Sequence, residues 1–426
     1  LAYSIENGRS LLAVVAIIAA CWLFSEDKKR FPVLLVLGAL ALQAALIFLI
    51  FALPNSTVLL QAIGGLVGGL GDASAQGAQF VFGFLAGAPA PYLSDPHAQP
   101  LFVFGFRVLP VVLVICALSA LLWHWGVLRL FTRAFGVVFS YVLGLSGPLA
   151  LGIAANMFLG MVESAMVVRA YLQRLSRSEL FTLMAVGLAN VSGSTMVAYT
   201  IILAPVLPNA AAHILTASIV STPAGVLLAR ILIPETSATK RTTAEYESGL
   251  KFENSMDALA TGVRDGATVA VNIAAFLVVA VALVAIVNDI LALAPHIDGA
   301  PVTLQSLFGR AFAPVAWLIG AQANEALSAG RILADKLFLT EFAAFIDLGH
   351  AGAQLSEHTR MIMTYAVCGF ANVASVGILS GGLSALVPER RNEIFGLAWR
   401  ALLPGFLATL MTASIVAALP AAVFAH

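Results

Sequence analysis

Apolar runs that reach or approach the roughly 20 residues needed to cross a bilayer recur along the chain, separated by short polar stretches. The clearest are Leu11–Leu23, Val33–Leu53, Val108–Trp125, Ile214–Ile231, Val269–Ile290 and Leu402–Phe424. The pattern predicts an all-α membrane protein with many spans. The first span is not read as a cleaved leader, because no small-residue cleavage site follows it and a second span comes at once. Two polar breaks sit inside further apolar runs. Residues 187–191 read GLANV and residues 369–373 read GFANV, so a Gly-x-Ala-Asn-Val pattern occurs twice. The stretches Asn190–Thr195 and Asn372–Gly377 put Asn, Ser and Gly where a helix continues least readily, and each predicts a broken span.

Short loops rich in Lys and Arg stay in the cytoplasm. Glu26–Arg30 (EDKKR) lies between the first two spans, which places that loop inside and the N-terminus outside. Threading onward puts Arg129, Arg133, Arg169, Arg174 and Arg177 inside, then Arg230, Lys240, Arg241, Lys251 and Arg264, and finally Arg390, Arg391 and Arg400. The C-terminus comes out outside. This threading requires two segments that turn back. One runs from Arg133 to Arg177 and begins and ends inside; the other runs from Asp298 to Asp347 and begins and ends outside. Both read as re-entrant hairpins, whose tips are tolerated in a membrane only when buried in protein or facing a wet cavity. A pair of ordinary spans is the alternative, and it would reverse the sidedness of everything between them.

Each hairpin carries a lone acid in apolar surroundings: Glu163 in GMVESAM and Glu341 in FLTEFAAF. The order hairpin, acid, crossing segment, Asn break therefore occurs twice, entering from opposite sides. That is an inverted repeat, which secondary transporters use to build a midplane site. An intramembrane carboxylate costs several kcal/mol and marks a functional site unless it is paired structurally, here with Arg169 or Arg331. Asp335 and Lys336 are expected to form a solvated pair of their own. At each break, free carbonyls suit a cation and free N–H groups suit lone pairs. Ser194, Thr195 and Ser375 are expected to cap these ends or to face the cavity, with close helix packing as the alternative for each.

Composition narrows the function. The 426 residues are 60% hydrophobic and 10% charged, against about a quarter charged in soluble proteins. The 22 basic and 22 acidic residues cancel, so nothing points to nucleic acid as a partner. Cys21, Cys116 and Cys368 lie in apolar segments without metal-ligand spacing and read as buried thiols. His124, flanked by two Trp, reads as an interfacial anchor, Glu357-His358 as part of a polar loop, and the Asn55 sequon as incidental. No nucleophile elbow, phosphate-binding loop or paired-His motif is present, which argues against an enzyme. A transporter is the best reading, with a channel as its rival.

NMFLGMVES (Asn156–Ser164), followed by VVRAYL and SRSELFTLM, resembles the concentrative nucleoside transporter family. So do KLFLTEFAAFIDL (Lys336–Leu348), CGFANVASVGILSGGL (Cys368–Leu383), RVLPVVLVICALSALLWHWGVL (Arg107–Leu128) and the NIAAFLVVAVALVAIVN run ending at Asn288. The resemblance covers the chain from about Leu11 onward. It implies eight transmembrane helices plus two re-entrant hairpins, arranged as a homotrimeric elevator-type transporter in a bacterial inner (cytoplasmic) membrane. Such a protein imports nucleosides on a sodium gradient, or alternatively a proton gradient, and needs no other cofactor. The implied division is 1–128 for N-terminal spans and scaffold elements, 129–235 for the first hairpin repeat of the transport domain, 236–295 for a cytoplasmic loop and scaffold helix, and 296–426 for the second hairpin repeat.

Carried over by position, the resemblance puts the ribose contacts on Glu341 and Asn372, with Ser375 as a nearby hydroxyl. Glu163, with Met161, Val162 and Thr195, falls at the base. The implied sodium ligands are Asn156, the Leu159 carbonyl, Asn190 and Val191. Several positions depart from the family pattern. Gly160–Ala165 reads Gly-Met-Val-Glu-Ser-Ala where the family reads Gly-Gln-Thr/Ser-Glu-Ser/Ala-Pro, so Met161 and Val162 replace an amide and a hydroxyl. Thr340 replaces the Asn of an Asn-Glu-Phe motif, Asn190 replaces a small hydroxyl residue, and Thr195 stands where Val is common. Losing a hydrogen-bonding pair can change discrimination by several kcal/mol. The sugar side is thus kept while base selection is expected to differ, and a same-fold transporter of a non-nucleoside polar solute is the alternative.

Overall fold

The computed structural model describes residues 5–51, 56–89, 103–207, 209–236, 249–293 and 301–420. Helices, joined by turns and short 3₁₀ segments, make up the secondary structure among these residues, and no strand is present. In chain order they are α1 (Ile5–Leu23), α2 (Val33–Phe51), α3 (Ser56–Phe82), α4 (Phe104–Arg107), α5 (Leu109–His124) and α6 (Val127–Leu143). Then come α7 (Gly147–Asn156), α8 (Glu163–Val167), α9 (Arg177–Ala189), α10 (Gly193–Leu203), α11 (Ala210–Leu232) and α12 (Ser255–Leu291). The last are α13 (Leu304–Ile319), α14 (Ala326–Phe338), α15 (Glu341–Ala351), α16 (Glu357–Val367), α17 (Val373–Leu386) and α18 (Arg391–Ala418). Six continuous or broken helices among the described residues are long and apolar enough to cross a membrane: 33–51, 104–124, 177–203, 210–232, 255–291 and 388–418. The 27-residue α3 has no counterpart among the apolar runs, because its glycines and polar residues dilute the hydropathy.

Burial separates these helices into two kinds. The most apolar window of α11 is 94% buried and that of α12 only 11%, although both are apolar throughout. α9, α11 and α18 form the centre, where small residues let backbones approach closely. Gly225 of α11 lies on Val186 and Ala189 of α9, and Gly405 of α18 lies on Leu188 and the Ala185 carbonyl. At the periphery α12 pairs with α5. Gly262 and Gly266 rest on Ala117 and Leu113, where an added Cβ would fall 2.7 and 2.8 Å from the facing Cα atoms.

Both turned-back segments take hairpin form. In the first, α7 descends from Gly147 to Asn156, the tip spans Met157–Val162, and α8 returns with a 3₁₀ turn over Arg169–Arg174. In the second, α14 and α15 meet at Leu339–Thr340. The first hairpin is shorter than its apolar run, because Val137–Leu143 belongs instead to α6. That helix is amphipathic, burying Thr132, Gly136, Phe139 and Leu143 along one stripe and exposing Phe131 and Tyr141. α13 precedes α14 as α6 precedes α7, and each packs on its hairpin arm. Asp298 and Asn55 lie outside the described residues.

Three local expectations are corrected. Asp335 and Lys336 do not pair. Successive residues on a helix point apart, and Asp335 meets Asp347 and Gln305 while Lys336 is fully buried against α16 and α18. Glu357 and His358 are in the first turn of α16, capped by Ser356, rather than in a loop. Cys21 and Cys368 are buried, but Cys116 is half-buried and lines a cavity.

The loop after α1 is fastened by Glu26, whose carboxylate accepts from Arg177 Nη1 at 2.6 Å and Nη2 at 2.9 Å and also pairs with Arg400. The Arg177 hydrogen bond holds the Glu26 carboxyl at about 2, below its ordinary 4.5. A depressed folded-state value contributes stability above pH 4.5 that is lost as pH falls toward 2. Arg177 is 47% and Glu26 34% exposed, so solvent screening holds the effect to about 1 kcal/mol or less. Glu26→Gln is expected to lower the melting temperature by about 1 °C at pH 7. That difference should close as pH is taken from 4.5 toward 2, which a pair of detergent-solubilised melting curves would measure.

Candidate functional site

The tips of both hairpins and both broken spans converge on one region. Ser192 ends the first break as the N-cap of α10, accepting from Thr195 N at 3.3 Å. Its hydroxyl also meets Ser194 Oγ at 2.8 Å and Thr195 Oγ1 at 3.1 Å. Asn372 is the N-cap of α17, its Oδ1 accepting from Ser375 N at 2.8 Å. The caps are therefore Ser192 and Asn372, while Ser194, Thr195 and Ser375 sit in the first turns.

The two Gly-x-Ala-Asn-Val stretches are not equivalent in register. In the first, the helix runs through Ala189 and stops at Asn190. In the second, the helix has already stopped at Cys368, and Asn372 begins the next one. What joins them is contact. Phe370 N donates to the Asn190 carbonyl at 3.1 Å. Gly369 lies against the Ala189 carbonyl, 2.7 Å from where a Cβ would stand, so this crossing leaves no room for a side chain. The first hairpin tip docks on the same crossing, with Gly193 N donating to the Phe158 carbonyl at 3.2 Å.

At the second hairpin, Thr340 caps α15 by accepting from Ala343 N at 3.3 Å. Glu341 follows, only 5% exposed, with both oxygens engaged. Oε1 accepts from the Tyr199 hydroxyl at 2.9 Å and Oε2 from Asn372 Nδ2 at 2.6 Å. Tyr199 comes from α10, stacks on Phe345 with ring centres 4.3 Å apart, and meets Phe342 edge-on at 4.6 Å. Tyr199, Glu341, Asn372 and the Ser375 amide thus form one continuous hydrogen-bonded line. Glu163, by contrast, makes no ion pair or hydrogen bond to another side chain among the described residues, and its carboxylate curls back over Gly160.

A cavity of about 180 Å³ opens beside this line. Met161, Val162, Glu163, Thr195, Glu341 and Ser375 all line it, and Asn372 reaches it through Glu341. Its opposite wall comes from the peripheral pair: Cys116, Ser119 and Trp123 of α5, and Asp265 and Asn272 of α12. The sequence pattern assigns none of these wall residues, nor Tyr199, to the site, although Cys116, Ser119, Trp123 and Asn272 lie in segments that carry the family resemblance. Among the described residues, Glu163, Asp265 and Glu341 are its charged side chains, and no Lys, Arg or His lines it.

Of the four residues named as sodium ligands, Asn156, Asn190 and Val191 meet at the end of α9, and Leu159 lies in the first hairpin tip. Asn156 Nδ2 donates to the Val186 carbonyl at 3.0 Å, and Ser164 Oγ approaches Asn156 Oδ1 at 3.4 Å. The Val191 carbonyl accepts from Ser218 Oγ at 3.3 Å, and Leu159 lines the cavity. Asn190 Nδ2 donates to Thr222 Oγ1 at 2.8 Å, which leaves Asn190 Oδ1 buried without a hydrogen-bond partner. A buried carbonyl oxygen left in this way is costly, and a hard cation is one of the groups that would satisfy it.

Family models agree with this architecture along nearly the whole chain. Residues 12–85 match the N-terminus and 213–417 the C-terminus of the Na+ dependent nucleoside transporter family, and 105–206 match a nucleoside recognition (Gate) domain. An uncharacterized transporter of Bacillus subtilis, YutK, is 37% identical over 95% of this chain and 97% of its own. The nucleoside permease NupC of Helicobacter pylori is 30% identical over 95% and 96%. The solved structure of CNTnw in an inward-facing substrate-bound state superposes with a TM-score of 0.88 at 33% identity, covering 97% of this chain and 98% of that one. With paired hairpins, crossed broken spans and end-to-end similarity of this kind, the chain belongs to the concentrative nucleoside transporter family, a family of membrane transporters and not of enzymes.

Proposed function

We propose that this protein is a sodium-coupled importer of nucleosides or nucleoside-like compounds, working as a homotrimer in a bacterial inner membrane. The observation that carries the reading is the Tyr199–Glu341–Asn372 line at the cavity wall. A carboxylate held on both oxygens by neutral donors is fixed in place, and its remaining lone pairs face a solute as acceptors. Adjacent hydroxyls of a ribose are matching donors, and Ser375 adds a hydroxyl beside them. A wall with carboxylates and no cation suits a neutral polyhydroxyl solute and disfavours a phosphorylated one. The test is uptake of radiolabelled nucleosides into proteoliposomes. Saturable accumulation against a gradient supports the reading, and passive linear flux would favour a channel. Accumulation of another polar solute in place of nucleosides would favour the same fold with a different cargo.

In this reading, Glu341, Asn372 and Ser375 hold the sugar. Met161, Val162, Glu163 and Thr195 surround the base. Asn156, the Leu159 and Val191 carbonyls and Asn190 take the sodium ion, with Asn190 contributing its Oδ1. Met161 and Val162 offer contact area but no hydrogen bonds, so the parent should discriminate weakly among bases. Met161→Gln with Val162→Thr restores polar groups where the family has them. It is expected to improve transport of an ordinary nucleoside about tenfold, the value of one well-placed hydrogen bond. A parent that already selects sharply between uridine and adenosine would count against this assignment.

The hairpins, α9–α10 and α16–α17 would move together against the α5–α12 pair as an elevator. The division into 1–128, 129–235, 236–295 and 296–426 belongs to the same proposal.

A further inference from the structure

We propose that the ammonium group of Lys336 occupies the second of two pseudo-symmetric cation positions, so that one copy of the repeat takes an exchangeable ion and the other carries a built-in charge. The inference rests on the ion-coupled reading above.

Asn156 ends the first arm of the first hairpin, and Lys336 lies near the end of the first arm of the second. Each side chain crosses to the broken span that follows its own hairpin. Each donates to a carbonyl in the last turn of that span's first half-helix: Asn156 Nδ2 to Val186 at 3.0 Å, and Lys336 Nζ to Ala366 at 2.8 Å. Such an end carries partial negative charge, which favours a cation. In the first copy the donor is a neutral amide, and the unpartnered Asn190 Oδ1 lies on the same turn of α9. In the second copy the donor is itself the cation. Its amine also donates to Thr409 Oγ1 at 2.6 Å and lies 4.9 Å over the Phe406 ring.

A carbonyl, a hydroxyl and an aromatic face suit an ammonium group and make part of a shell for a sodium ion, which water would complete once the lysine is removed. Lys336 is 0% exposed, and no carboxylate is within ion-pair distance of it among the described residues. A buried ammonium held this way costs several kcal/mol more than an apolar side chain of the same length would. Packing alone therefore does not account for a lysine here; the helix end it neutralises does, with the Glu341 carboxylate adding a longer-range attraction.

The test counts sodium ions bound to the purified transporter by equilibrium binding of radioactive sodium without nucleoside. Failure of the nucleoside reading thus leaves the count readable. The parent is expected to bind one ion per protomer. Lys336→Ala, which clears the position but keeps the Ala366 carbonyl and Thr409, is expected to bind one more than the parent. Lys336→Arg, which keeps the charge, should match the parent. If the alanine variant fails to fold, Lys336→Asn copies the amide of Asn156 and is expected to gain the same ion. A parent that binds two ions, or equal counts in the parent and the folded neutral variant, overturns the proposal.

Discussion

Exchanging Glu341 for Gln is expected to lower concentrative uptake at least about a hundredfold while leaving a folded transporter. The carboxylate accepts on both oxygens, from the Tyr199 hydroxyl and from Asn372 Nδ2. A glutamine has one acceptor oxygen and one donor NH₂. Whichever way it turns, its NH₂ faces either the Tyr199 hydroxyl or the amide of Asn372. The tyrosine can rotate its proton away, but Asn372 could adapt only by flipping. A flip would present its own NH₂ to the Ser375 amide and cancel the cap of α17, at about 0.5–2 kcal/mol. The sugar would lose charge-assisted hydrogen bonds worth about 1.5–3 kcal/mol each. Two such bonds exceed the roughly 2.8 kcal/mol that a hundredfold loss requires. Asn372→Ala should do comparable damage, since it removes the cap and leaves one carboxylate oxygen unheld. Tyr199→Phe keeps the ring stack and loses one bond, so a smaller loss of about tenfold is expected. Near-normal uptake by Glu341→Gln or Asn372→Ala, with normal expression and a monodisperse elution profile, would remove the residue from the site.

Much of this site is legible from local pattern, and the remainder depends on distances along the chain that no pattern encodes. Glu163 and Glu341 stand out because a carboxylate in an apolar run contradicts its surroundings. The two breaks stand out because Asn, Ser and Gly interrupt helical periodicity. Tyr199 has no such contrast. An aromatic in an apolar helix is ordinary, and its hydroxyl gains meaning only when the second hairpin brings in an acid 142 residues later. Asp265 and Asn272 sit on a helix whose apolar face dominates its reading, and only the packing of α12 on α5 turns them toward the cavity.

The repeated pentapeptide is the instructive case. Its two copies do meet, as an inverted repeat requires, yet they stop and start helices at different residues. The contact forms through Gly369 and the Asn190 carbonyl, backbone features that are invisible in a string of letters. Lys336 shows the opposite failure. A charged residue beside a second charged residue reads as solvated, whereas helical geometry sends the two in different directions and both are buried.

Uptake should be driven by a sodium gradient at equal pH on both sides, and the first break explains why. Hard cations take about five or six oxygen ligands. Asn156, the Leu159 and Val191 carbonyls and Asn190 supply candidates, with water completing the shell. The Asn190 main-chain carbonyl already accepts from Phe370 N, whereas its Oδ1 is buried with no partner. That difference gives a paired expectation for Asn190→Ala. Without sodium, the variant should melt no lower than about 2 °C below the parent, because the lost Thr222 hydrogen bond is offset by removal of an unsatisfied acceptor costing about 1–3 kcal/mol. With sodium, the parent should gain stability in proportion to the logarithm of sodium over its dissociation constant, and the variant should gain little. Asn156→Ala should raise the half-saturating sodium at least about tenfold, the value of one ligand at about 1.4 kcal/mol. The competing mechanism places a proton on Glu163, a carboxyl with no side-chain partner beside the cavity. Uptake driven only by a pH gradient without sodium, lost in Glu163→Gln and retained in Asn156→Ala, would overturn sodium coupling and make Glu163 the carrier of the coupled charge.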